Sequence, residues 1–146
     1  RRALRPQRAN ARAGGAHRMT GQRKKLAILL WSATPERPQL CATPFVHAAA
    51  AAAFDCDVEI HFAGPAVRLL VSGVAEALRP WPGVDTSIYQ MMRQATNLGV
   101  GLRACAMAMG ALVARDEALI PEYGGTIAAS AFVSRALDTE WATLVF

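Results

Sequence analysis

Val100-Gly-Leu-Arg-Ala-Cys105-Ala-Met-Ala-Met-Gly-Ala-Leu112 joins an apolar, strand-like run to a helix-like run with no loop between them. A strand that feeds straight into a helix is a building unit of a parallel sheet covered by helices. The same stretch fixes the position of Cys105, at the carboxyl end of a strand and the amino end of a helix. In open parallel sheets, ligands and chemistry gather at that edge, and a helix start adds unpaired N–H groups and partial positive charge. A thiol so placed is expected to ionise more readily than a free cysteine. The competing reading makes Cys105 a small buried hydrophobe, a common fate of an unpaired cysteine.

Strand and helix patterns alternate on both sides of this unit. Leu26-Ala-Ile-Leu-Leu-Trp31 is unbroken apolar sequence, as in a central strand buried on both faces. A proline-bearing loop follows, and then a helix in which Thr43 is expected as N-cap and Pro44 as first residue. Its body, Phe45 to Phe54, is dominated by alanine, so a neighbour can pack close to it. Asp57-Val-Glu-Ile-His-Phe-Ala63 alternates, with Asp57, Glu59 and His61 on one face. That polarity predicts an edge strand or a wet subunit interface, with the three polar groups solvated.

Gly64-Pro65 is expected to open a helix that runs to Leu78, where Pro80-Trp-Pro-Gly83 stops it. A second helix is expected from Thr86 to Leu98, closed by Gly99, with its methionines in the core. After the strand ending at Cys105 come a short helix to Val113, a short strand near Ala118 to Ile120 and a glycine turn. A helix from Ile127 to Leu137 and a last strand, Trp141 to Phe146, complete the pattern. The expectation is a single three-layer α/β/α domain over residues 23–146, with a mostly parallel sheet of four or five strands.

The chain has 146 residues, 53% hydrophobic, enough for one core. Its net charge of +5 is unevenly placed. Nine of the sixteen basic residues and none of the eleven acids fall in the first 25 positions, which leaves a net charge of −4 on the remainder. The folded part is therefore not expected to bind nucleic acid. Residues 1–22, rich in Arg, Ala and Gly, read as a disordered basic tail, and Met19 as the natural start. Neither a secretory signal nor an apolar run of membrane-spanning length is seen, and a soluble, cytoplasmic protein is expected.

Three cysteines, an odd number, suit a reducing compartment. They form no C-x-x-C, and His17, His47 and His61 make no tight pair with them, so neither a metal nor a cofactor is expected. Gly99-Val-Gly-Leu-Arg-Ala104 spells the dinucleotide fingerprint, but it follows a helix and opens a strand, the reverse of what phosphate binding needs. No phosphate loop or G-x-S-x-G nucleophile elbow is present. Cys41 follows the first strand and shares the carboxyl edge with Cys105, whereas Cys56 lies at the opposite edge. With strand order 2-1-3, Cys41 could approach Cys105 and serve as an accessory thiol. Arg103 falls on the same strand face as Cys105 and is read either as a source of positive potential or as a surface residue.

Gln94-Ala-Thr-Asn-Leu-Gly-Val-Gly-Leu-Arg-Ala-Cys-Ala-Met-Ala-Met109 resembles the DsrE-like family, in the segment where a helix, a Gly-Val step and a strand lead to a cysteine followed by small residues and methionines. The likeness extends more loosely over Lys25 to Phe146. It implies a compact α/β domain assembling into trimers or hexamers and, in several branches, a cysteine that carries sulfur as a persulfide. Carried over here, that cysteine is Cys105. The function expected is then a sulfur carrier or sulfurtransferase in which the Cys105 thiolate takes sulfur from a sulfane-sulfur donor and passes it to an acceptor thiol. The alternative is a non-catalytic oligomeric module binding a small ligand or partner, with Cys105 only packing. Peroxide reduction is a third reading, weakened because Leu102 stands where a Thr-x-x-Cys arrangement needs threonine.

Overall fold

The computed structural model describes residues 24–146. The basic tail expected over residues 1–22 lies outside the described residues. Five strands, β1 (Lys25–Leu30), β2 (Asp57–Phe62), β3 (Gly101–Cys105), β4 (Tyr123–Ile127) and β5 (Trp141–Val145), form one sheet in the order β4-β3-β2-β1-β5. All four pairings are parallel. The helices are α1 (Ala42–Ala53), α2 (Val74–Ala77), α3 (Ile88–Asn97), α4 (Ala106–Leu112) and α5 (Ala129–Leu137). The domain is the α/β fold expected from the alternating pattern.

Period-2 alternation divides the sheet into two unlike faces. Leu26, Ile28 and Leu30 of β1, Val58, Ile60 and Phe62 of β2, and Leu102 and Ala104 of β3 point to one side and are buried. There they join Phe45 and Ala48 of α1 and Ile88, Met92 and Ala95 of α3 in the main core. Phe45 and Phe62 meet with ring centroids 6.1 Å apart. The alanine body of α1 brings it against α3 as well as the sheet. Helix α3 starts where a reciprocal cap holds it: Gln90 N donates to Ser87 Oγ at 3.1 Å, and Ser87 N donates to Gln90 Oε1 at 2.7 Å.

The opposite face carries Ala27, Leu29, Glu59, His61, Arg103 and Cys105, and α5 lies over it. The chain leaves β4 at one edge, crosses as α5 and pairs as β5 at the other edge. Strand β2 is therefore central, not the edge strand its polar residues predict. One helix roofs this side, and its Arg135 and Phe132 supply polar and aromatic partners that an all-apolar layer would lack.

Other boundaries depart from expectation for local reasons. The segment expected as one helix from Gly64 to Leu78 is a 3₁₀ helix, Gly64–Leu70, followed by the four-residue α2. Between them Val71 bridges antiparallel to Leu119, Ser72 N donates to Ala118 O and Ile120 N donates to Leu70 O, which draws the backbone out of helix. The strand expected near Ala118 to Ile120 is this single bridge. The glycine turn is instead part of β4, where Gly124 and Gly125 form a bulge against β3. A Cβ on Gly124 would stand 2.8 Å from the Leu102 carbonyl oxygen, and Gly125 has φ of 106°, so glycine is required on both counts. Cys41, not Thr43, is the N-cap of α1; Pro44 is tolerated within the first turn because that turn's N–H groups lack helical acceptors. Ile127 ends β4, and α5 begins at Ala129.

Candidate functional site

Cys105 closes β3 and is the N-cap residue of α4, with φ −60° and ψ 120°, the junction read from the sequence. It is half-buried and lines a cavity of about 290 Å³ at the carboxyl ends of the strands, beneath α5. Leu29 forms part of the floor, and Phe132 and Val133 form part of the roof. These walls are apolar. The other side chain of the lining that can exchange a proton is that of His61.

His61 is only 3% exposed, so it is not the solvated residue its strand pattern predicts. In the β2–β3 register His61 pairs with Arg103, two residues before Cys105, so His61 and Cys105 are diagonal neighbours on one face. The ring meets Phe132 edge-on at 5.7 Å between centroids. Its Nε2 lies 2.9 Å from Glu59 Oε2. A carboxylate only accepts, so Nε2 carries a proton, and Nδ1 is the ring nitrogen left uncommitted by Glu59. Nδ1 is buried and meets no hydrogen-bond partner.

Glu59 is held in turn by α5, with Arg135 Nε 3.5 Å from Glu59 Oε2. The Arg135 guanidinium lies 4.7 Å over the Trp141 ring. Burial opposes ionisation of Glu59, but the hydrogen bond from His61 and the charge of Arg135 outweigh it and hold the carboxyl below its ordinary value. Trp141, Arg135, Glu59 and His61 thus form a chain that leads from the outer strand to the cavity. Sequence reasoning placed Glu59 and His61 on a common face but missed the burial of His61 and the pairing of Glu59 with α5. The signal was in α5, where Phe132 and Arg135, three residues apart, share a helix face that can meet aromatic and acidic partners.

The other cysteines are placed differently. Cys41 is fully buried, and its thiol faces the Thr34 and Arg37 carbonyl oxygens at 3.5 and 3.6 Å. Burial, with the nearby Glu36 charge, pushes its pKa up to about 11. The strand order 2-1-3 that would bring Cys41 toward Cys105 does not occur, because β2 separates β1 from β3. Cys41 does not line the cavity, and Cys56 precedes β2 at the opposite edge of the sheet. Arg103 is exposed, and its guanidinium donates to the Gly124 carbonyl across the β4 bulge. Among the described residues no three His, Cys, Asp or Glu side chains gather as metal ligands. No helix among them is long and apolar enough to cross a membrane.

The model of the DsrE/DsrF-like family matches residues 24–146, the whole described domain. The chain belongs to the DsrE/DsrF-like family. Solved structures share this DsrE-like fold. The YchN protein of E. coli superposes with a TM-score of 0.65 at 16% identity, covering 86% of this chain and all (100%) of its own. MTH1491 from Methanobacterium thermoautotrophicum, a protein of unknown function, superposes with a TM-score of 0.58 at 15% identity, covering 84% of this chain and 99% of its own. No curated protein matches the chain.

Proposed function

We propose that this DsrE-like protein carries sulfane sulfur as a persulfide on Cys105 and passes it to an acceptor thiol. The observation that carries the reading is the opening of Cys105, alone among the three cysteines, onto the cavity that also holds His61. Its family, related in general to sulfur relay, favours the same chemistry. A half-buried thiol lining an apolar cavity suits a persulfide, which must be shielded from stray thiols until its acceptor arrives. Cys41, buried and with its ionisation suppressed, is read here as structural.

Assembly into a homo-oligomer, a trimer or hexamer, is part of this proposal, as is a cytoplasmic setting. Leu137 is 81% exposed and Val145 58% exposed on α5 and the unpaired edge of β5, apolar surface that a second copy would cover. The donor bears sulfane sulfur and the acceptor a thiol, and the acidic folded part gives no ground for nucleic-acid binding.

Intact mass after treatment with polysulfide tests the reading. A reductant-reversible gain of about 32 Da, lost in Cys105→Ser and retained in Cys41→Ser, is expected. Absence of that gain in the folded wild type would leave the cavity as a small-ligand site with Cys105 as packing.

A further inference from the structure

We propose that His61 is the proton acceptor for Cys105 and that the sulfur donor entering this cavity is a small, neutral hydropersulfide, R–S–SH. The inference deepens the sulfur-carrier reading and rests on it. Nε2 of His61 is committed to Glu59 at 2.9 Å, while Nδ1 is buried without a partner in a ring that lines the cavity. A buried acceptor with nothing to accept is costly to keep. Cys105 lines the same cavity from the adjacent strand, on the same face. Glu59, itself facing Arg135, is the positioning residue that fixes the tautomer.

The rest of the lining selects the donor. Leu29, Ile127, Phe132 and Val133 offer no cation and no array of hydrogen-bond donors for a carboxylate or a sulfonate. A charged donor such as thiosulfate, or a peptide thiol with two carboxylates, would lose its hydration with nothing to replace it. A neutral R–S–SH with a small apolar R loses little, and it leaves the Nδ1 lone pair free for the Cys105 proton.

The exchange then balances within the site. His61 Nδ1 takes the Cys105 proton, and the Sγ electron pair forms a bond to the outer sulfur of R–S–SH as the donor's S–S bond breaks. The departing R–S⁻ takes the proton from Nδ1 and leaves as R–SH. Cys105 is oxidised to Cys–S–SH, the donor's inner sulfur is reduced by the same two electrons, and no outside oxidant enters.

The test is the rate of single-turnover persulfide formation on Cys105, followed by quenched intact mass, with methyl hydropersulfide and glutathione hydropersulfide as probes. For wild type, the methyl donor is expected to react at least about tenfold faster than the anionic glutathione donor. His61→Gln and His61→Ala, each checked for native circular dichroism, are expected to slow transfer by about 10²-fold while the endpoint of one sulfur remains. Added imidazole should restore part of the rate to His61→Ala, which a structural role for His61 would not allow. Glu59→Gln should slow transfer about tenfold. Equal rates for the two donors in wild type, or full rates in folded His61 variants, would overturn the proposal while leaving sulfur carriage intact. If neither His61 variant folds, the donor comparison and Glu59→Gln still decide it. No sulfur on wild-type Cys105 at any time would remove the carrier reading, and this inference with it.

Discussion

Arg135 stands with Nε 3.5 Å from Glu59 Oε2, so helix α5 is joined by charge to the middle strand of the sheet that it roofs. The pair is partly exposed, with about a third of each side chain reaching solvent (32% and 29%), and its Coulombic worth is discounted accordingly. Arg135→Met keeps much of the apolar stem but removes the charge and the contact with Trp141. We expect a loss of about 1 kcal/mol, read from the urea midpoint at neutral pH.

The same carboxyl makes stability depend on acid. Its folded pKa lies below the unfolded value of about 4.3, so the folded state binds fewer protons there. The contribution is present above the unfolded value and is lost as pH falls through the depressed folded one. Glu59→Gln is therefore expected to be less stable than wild type at pH 7, with the gap narrowing as pH falls below about 4. Urea midpoints of both proteins at the two ends of that window check it; a constant gap would remove Glu59 as a source of acid sensitivity.

Cys41 works at the alkaline end and with the opposite sign. Its pKa, raised to about 11 by burial and by Glu36, means that the unfolded thiol ionises before the folded one. Stability is lost as pH rises from about 8.5 toward 11, by about 3 kcal/mol, and Cys41→Ala should flatten that limb. At neutral pH, iodoacetamide should label Cys105 in the native protein and reach Cys41 only on unfolding, as peptide mapping of the labelled chain would report.

Gly124 links β3 to its edge partner. An alanine there would drive its methyl group to 2.8 Å from the Leu102 carbonyl oxygen and crowd the Arg103 guanidinium at 3.2 Å. Gly124→Ala is expected to cost about 1–3 kcal/mol, visible as an earlier urea midpoint. An unchanged midpoint would mean that the bulge relaxes freely.

The layer architecture and the placement of Cys105 were legible because both rest on local pattern. An unbroken apolar run is a buried strand wherever it lies in a sheet, and a strand abutting a helix puts its last residue at the carboxyl edge. Strand order was not legible. Whether β1 neighbours β3 depends on long-range pairing, and no residue in either strand encodes it. That one unknown misplaced Cys41 relative to Cys105 and put β2 at the rim. The polar side of β2 suggested solvent, whereas its partners Arg135 and Phe132 come from a helix more than seventy residues onward. His61 was thus visible as a residue but not as part of a site. Helix propensity misled between Gly64 and Leu78 for a similar reason, since the pairing of Val71 with Leu119 is a tertiary contact.

The crossing of α5 from β4 to β5 makes the cavity roof a belt buckled at both margins of the sheet. One buckle is the bulged pairing of β3 with β4; the other is β5 beside β1, reinforced by Lys25 Nζ and Glu140 Oε2 at 2.8 Å. Slackening either one changes the clearance above Cys105, the first through the Cys105–Ile127 pair itself and the second from two strands away. Substitutions at the rims of this molecule can therefore be read out at its centre.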